Sequence, residues 1–332
     1  MSYFETSEPK LSSHQLLVPL IELAKQRGIH PDKALKGTKL FYSDFAQPDH
    51  VSSFSQLEQT IKNIMTCHLG QDISFVLGQH LLHSICARYA SYLFHCSNLK
   101  ALLAACKQLQ GELFPYFSVR MFKQNKAIHL IVNPAISELQ PSVYCFLLEV
   151  WLSLINGFLK WRFENTQVQF QLPYTTPVYI EEYQAIGANL LSFGHHFTTV
   201  VISKEALQTR QNSAIPALQS DIKTLANSNT VGFLAYAESF LIANPRATLE
   251  DLANYFNTSG ATLKRKLALH NSQFSCLKDR VLSQQAGFCI GQQGYSNSQV
   301  AKVLDFNDLP NFRRAIKRWF GVTPSELRKV RI

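Results

Sequence analysis

Two segments of the chain repeat one two-faced helix, and this duplication constrains the fold more than any other feature of the sequence. The stretch LPNFRRAIKRWFGVTPSELR (309–328) carries four basic residues in six positions, with bulky apolar residues threaded between them. On a helix advancing about 100° per residue, Pro310, Arg313, Arg314 and Lys317 share one arc, while Phe312, Ile316, Trp319 and Phe320 lie roughly opposite. Asp308 is the expected N-cap, because Pro310 is tolerated only in a first helical turn. Gly321 is the expected stop, with Pro324 beyond it. Within ATLEDLANYFNTSGATLKRKLALH the same helix recurs 49 residues earlier. Ala261, Lys264, Arg265 and Ala268 match Pro310, Arg313, Arg314 and Lys317, and Leu263 and Leu267 match Phe312 and Ile316.

Each copy follows a short apolar helix, TLEDLANYF or SNSQVAKVL, and a tight turn, Asn257-Thr258 or Asp305-Phe306-Asn307. Asn and Asp tolerate the left-handed backbone that such turns need. Helix, short turn, and a second helix with a basic outer face is a helix-turn-helix, here occurring twice and joined by FSCLKDRVLSQQAGFCI (274–290). Charge supports an anionic partner for this half. Of a net +9, residues 231–332 carry +7, from 14 Lys and Arg against 7 Asp and Glu. Two amphipathic hairpins packed on one another would not account for basic residues at the exposed positions of both second helices.

A length of 332 residues suggests two domains. The polar stretch 203–230 contains Pro216 and lacks an apolar period, so the expected division is 1–210, a linker at 211–230, and 231–332. The first part reads as α+β, with helices at 52–68, 74–86, 97–110 and 141–160 and strands in SVRMF, AIHLIVN and HFTTVVIS. The second reads as all-α. VYCFLLEVWLSLINGFL (143–159) is broken by Glu149 and is expected to be a buried helix rather than a membrane span. MSYFETSEPK has acids where a secretion signal needs basic residues. Seven scattered cysteines without a CxxC spacing speak against a disulfide framework or a zinc module, so a cytoplasmic protein is expected.

The chemistry of sites is sparse. His80 with His83 and His195 with His196 match no metal-ligand spacing, and no nucleophile setting or phosphate loop occurs. No metal, cofactor or catalytic residue is therefore expected. Tyr89, Tyr92, Phe94, Tyr144, Phe146 and Trp151 are candidates to line a cavity or plain core. Arg88 and Arg120, in apolar surroundings, are the candidates to meet an acidic effector.

From about Val231 to Arg331 the sequence resembles the DNA-binding domain of the AraC family of bacterial transcription regulators, through LEDLA, TLKRKL, VAKVL and above all KRWFGVTPSELR. Leu282, Asp305 and Ile316 depart from the family pattern, which bears on stability and the angle between the two hairpins. Residues 1–210 resemble the arabinose-binding-like N-terminal domain of one branch of that family, through LGQHLLHSICARYASYLFHCSNLKALLAACKQL, FSVRMFKQNKAIHLIVN and NLLSFGHHFTTVVISKEAL. Such domains sense a small effector, dimerise, or both. The resemblance implies a sequence-specific regulator of double-stranded DNA that activates through RNA polymerase more often than it represses. Arg265, Arg313 and Arg314 are the expected base readers, with Lys264 and Lys317 on base or phosphate. Pro310 shares their arc, and Ala261 and Thr262 would meet thymine methyls or the backbone. Lys266, Arg318 and Lys329 would hold phosphates. Two alternatives remain at this point. One is a non-specific architectural DNA binder; the other is an enzyme brought to DNA by its C-terminal module, although none of the cysteines lies in an electropositive motif.

Overall fold

The structure, a computed structural model, describes residues 2–87, 89–164, 166–187, 190–219, 230–292 and 294–329. The N-terminal half comprises β1 (Ser2–Phe4), β2 (Leu11–Ser12), α1 (Leu17–Gln26), β3 (Val51–Ser52), α2 (Phe54–Met65), α3 (Ile73–Ala87), α4 (Leu99–Gln108), β4 (Phe117–Lys123), β5 (Ala127–Pro134), α5 (Pro141–Arg162), β6 (Val168–Gln171), β7 (Leu191–Ser192) and β8 (Thr199–Ser203). The C-terminal half comprises β9 (Thr230–Gly232), α6 (Phe233–Ala243), α7 (Leu249–Tyr255), α8 (Gly260–Leu269), α9 (Phe274–Gly287), α10 (Asn297–Val303) and α11 (Leu309–Phe320). Single-turn helices lie between some of these. The architecture is the expected one: an α+β unit followed by helices.

Helix α5 starts where Pro141 can occupy the first turn and runs apolar on most of its surface, so it is buried from several sides. It crosses α3 closely because Gly78 presents no side chain; a Cβ there would stand 2.4 Å from Val150 O. Glu149, the charge that interrupts the apolar run, is buried and accepts hydrogen bonds from Ser74 Oγ (2.7 Å), Tyr179 Oη (2.9 Å) and Tyr183 Oη (2.8 Å). Burial pushes its carboxyl up from the ordinary range, and these three donors pull against that shift. The helix has the length and hydropathy of a membrane span, yet here it is a core helix.

The main sheet has the order β4-β5-β8-β6-β7, antiparallel except for the parallel β6–β7 pair. Met121 pairs with Leu130, and Leu130 with Val200, so apolar side chains align across three strands on one face. Helices α4 and α5 cover that face without filling it. A cavity of about 240 Å³ remains, walled by Phe114, Phe117, Leu130, Trp151, Leu154, Phe158 and Val200 among others. Of the six aromatic residues singled out in the sequence, Trp151 lines this cavity; Tyr144 lines a separate cleft of about 490 Å³ beside Glu138 and Arg280.

The polar stretch at 203–230 is packed over its first part. Ser203 caps the turn Lys204–Leu207, and Gln211, buried, donates to Leu93 O (3.1 Å) and Phe94 O (2.5 Å). Residues 220–229 lie outside the described residues. Val231, the expected start of the C-terminal part, lies in a strand, and the first helix begins at Phe233. Ser2, Tyr3 and Phe4 pair in parallel with Thr230, Val231 and Gly232, which holds this backbone extended until Phe233. Tyr3 then packs among Phe233, Tyr236 and Phe256, so the first residues of the chain complete the core of the first hairpin.

Gly78→Ala should lower stability by about 1–3 kcal/mol in a denaturant titration, since even a methyl group forces α3 away from α5. An unchanged midpoint would show that the two helices separate at no cost.

Candidate DNA-binding surface

Helix α11 is fixed at both ends by its own sequence. Asp308 accepts from Asn311 N and Asn311 Nδ2, both at 2.6 Å, and Pro310 sits in the first turn. Gly321 ends it in the left-handed region at φ 72°, with its N–H on Lys317 O. Phe312 and Ile316 are fully buried and Phe320 nearly so, against Val300, Ala301, Leu304 and Leu327. Pro310, Arg313, Arg314 and Lys317 are exposed on the opposite side. Arg314 Nη2 donates to Asn311 Oδ1 (2.7 Å), which draws the guanidinium toward the helix start.

Helix α8 repeats the arrangement. Ser259 caps it through Thr262 N (3.2 Å), Leu263 and Leu267 are buried, and Ala261, Lys264, Arg265 and Ala268 are exposed. The turns before the two helices contain Asn257 at φ 51° and Asp305 at φ 62°, the left-handed positions expected from their residue types. Thr248 and Ser296 cap α7 and α10 through matching capping boxes with Asp251 and Gln299.

Three of the expected contacts fall elsewhere. Lys266 is not free for phosphate: its Nζ lies 2.5 Å from Glu5 Oε1 and 3.2 Å from Tyr3 Oη, and the bond to Glu5 raises its pKa. The reason is β1, which brings residues 3–5 alongside α8. Arg318, though exposed, pairs with Asp279 of α9 at 2.6 Å and lies against the Trp319 ring. Arg120 does not face an effector cavity. It points from the opposite side of the sheet to α9, donating to Val281 O (2.7 Å) and Gln285 Oε1 (3.0 Å), and burial pushes its pKa down to about 10. Arg88 lies outside the described residues. Lys329 is exposed beyond α11.

The two basic faces are held together by residues that periodicity does not single out. Arg246, after α6, pairs with the Asp305 carboxylate in the second hairpin's turn. Arg280 of α9 bridges the buried Glu238 of α6 and Glu138, the latter at 2.5 Å. Burial pushes the Glu238 carboxyl up, while Arg280 acts against that. Opposite charge was the only sequence signal for these pairs, and it does not say which charges meet.

Residues 28–211 match the family model described as the arabinose-binding domain of AraC transcription regulators, N-terminal, and residues 252–330 match a helix-turn-helix domain. The first match alone spans more than half of the chain. The chain belongs to the AraC family of transcription regulators. AraC-family proteins of this type form a regulator family rather than an enzyme family, and their helix-turn-helix units bind DNA. Among relatives, an uncharacterized HTH-type transcriptional regulator of Mycobacterium tuberculosis is 24% identical over 333 residues, covering 92% of this chain and 93% of its own. An ornithine utilization regulator of Pseudomonas aeruginosa is 32% identical over 100 residues, 30% of each chain. The crystal structure of the transcriptional regulator CdpR from Pseudomonas aeruginosa aligns over 95% of this chain and 98% of its own, at 14% identity and a TM-score of 0.44.

Arg280→Ala strands the buried Glu238 carboxylate, with the partly exposed Glu138 also losing its cation, and should cost about 3–5 kcal/mol. Chemical denaturation of the full chain checks this, and Arg280→Lys should recover only part of the loss because one ammonium cannot reproduce the fork.

Proposed function

We propose that this AraC-family regulator recognises its promoter through two successive major-groove segments, one for α8 and one for α11, on the same face of the duplex. The carrying observation is the paired exposure of Lys264 with Arg265 and of Arg313, Arg314 and Lys317 on helices whose opposite faces are buried. The two segments are then about one helical turn, roughly 34 Å, apart. Arg265, Arg313 and Arg314 read base edges, arginine's planar fork suiting the guanine O6 and N7 pair. Ala261, Thr262 and Pro310 approach the groove wall, and Lys317, Lys264 and Lys329 neutralise phosphate. Residues 1–210 act as the sensing and dimerising part, 211–230 as the connection and 231–332 as the reader. Family membership supports activation through RNA polymerase and control by a small effector, in the cytoplasm.

Binding-site selection from a random duplex library tests the assignment. Arg314→Ala should cost about 1–3 kcal/mol at the selected site and relax one base position, with random-sequence binding nearly unchanged. Lys329→Ala should weaken all sequences alike and reduce the salt slope by about one unit. An intact preference in Arg314→Ala, together with an altered one in a stably folded Trp319→Ala, would reverse the assignment of the two helix faces.

A further inference from the structure

The cavity between the sheet and helices α4 and α5 has the wrong chemistry for a sugar. Its walls are aliphatic and aromatic, and among the described lining residues the polar side-chain groups are the Cys106 thiol, the Trp151 indole N–H, Lys107 and Gln110. Gln110 Nε2 is already committed to Phe117 O at 3.0 Å. Each sugar hydroxyl buried here without a partner would cost about 1–3 kcal/mol. A hydrocarbon body gains from the same walls, and the space exceeds the roughly 150 Å³ that accommodates benzene in an apolar protein interior. Lys107, exposed in the last turn of α4, places one cation at the rim.

The wall of this cavity is shared with the DNA-binding half. Along β4, Val119 and Met121 face the cavity, while the intervening Arg120 bonds α9 and Phe122 packs on Phe288, just past the end of α9, at 4.7 Å between ring centroids. Along β5, Leu130 faces the cavity, whereas His129 meets Phe288 and Asn133 accepts from Gln284 Nε2 of α9 at 2.7 Å. The two-residue alternation of a strand therefore puts the cavity on one face and the helix joining the two hairpins on the other.

We propose that this cavity binds an apolar organic acid, a hydrocarbon body bearing one anionic group that Lys107 meets at the rim, and that β4 and β5 pass its occupancy to α9. The proposal rests on reading the N-terminal half as an effector sensor. Filling the cavity shifts the strands that form its wall, and the same strands carry the side chains that set the position of α9, hence of α8 relative to α11. A ligand acts on DNA affinity to the extent that it distinguishes two such positions.

The test uses the full chain with 2-naphthoate, its neutral analogue 2-naphthalenemethanol, and arabinose, with binding read by calorimetry and native mass spectrometry in the absence of DNA. Expected are saturable one-to-one binding of naphthoate, loss of both naphthalene ligands in Leu154→Trp, and no binding of arabinose. Lys107→Ala should weaken naphthoate by about fivefold and leave the alcohol unchanged. Lys107 is exposed, so that variant remains informative if Leu154→Trp does not fold. Failure of naphthoate to bind, equal naphthoate binding by wild type and Lys107→Ala, retention of naphthoate by a folded Leu154→Trp, or binding of arabinose would overturn the ligand class. In a second arm, naphthoate should change affinity for the selected duplex by about fivefold or more in the wild type, and by less than about twofold in Arg120→Met. Bound naphthoate with unchanged wild-type DNA affinity, or an undiminished response in Arg120→Met, would overturn transmission through the sheet. A wild-type protein that selects no DNA sequence would instead sink the promoter-reading function, leaving the ligand arm to be judged on its own.

Discussion

Helix α9 joins the two hairpins and packs on the sheet, and Arg280 is the side chain that ties it to both halves by ion pairs. Its guanidinium lies between Glu238, on the first helix of the C-terminal half, and Glu138, just after β5. An ion triad centred on a buried carboxylate contributes little net stability compared with an apolar filling of the same volume, but removing Arg280 leaves the Glu238 charge stranded in a poor dielectric. It therefore acts mainly on geometry. With Arg280 in place, α9 is clamped to the sheet and to α6 together, and both hairpins take their orientation from it.

Several weaker contacts reinforce that clamp. His270, at the end of α8, is buried, donates from Nδ1 to Ile136 O (2.8 Å) and stacks on Phe233. Glu138 N bonds His270 O, and Phe197 and His196 meet the Phe320 ring at the end of α11. Both basic helices are thus docked on the N-terminal half through their C-terminal ends, away from their capped starts. That docking leaves Lys264, Arg265, Arg313 and Arg314 exposed.

The two faces of the β4–β5 ribbon belong to different neighbours, one to the cavity and one to α9. A shift of the strand backbone carries the side chains of both faces with it, because successive residues alternate on one backbone. Arg120 illustrates the consequence. Its apolar neighbours in sequence suggested a place beside an effector, and those neighbours, Val119 and Met121, do face the cavity. Arg120 itself, one residue out of phase, belongs to the interface with α9.

The sequence by itself determined the elements whose causes are local. Asp308, Pro310 and Gly321 delimit α11 through caps and backbone restrictions acting within a few residues, and the 3.6-residue period separates Arg313 and Arg314 from Phe312 and Ile316 whatever surrounds the helix. The left-handed turns at Asn257 and Asp305, the burial of 143–159 and the strands SVRMF and AIHLIVN were legible for the same reason. Tertiary structure alone decided where Lys266 and Arg120 point, that Ser2–Phe4 closes a strand pair with Thr230–Gly232, that Arg246 finds Asp305, and that the space between the sheet and α4 and α5 stays open. Each of these depends on residues far apart in the chain, and neither periodicity nor charge sign carries information about which distant groups the packing brings together.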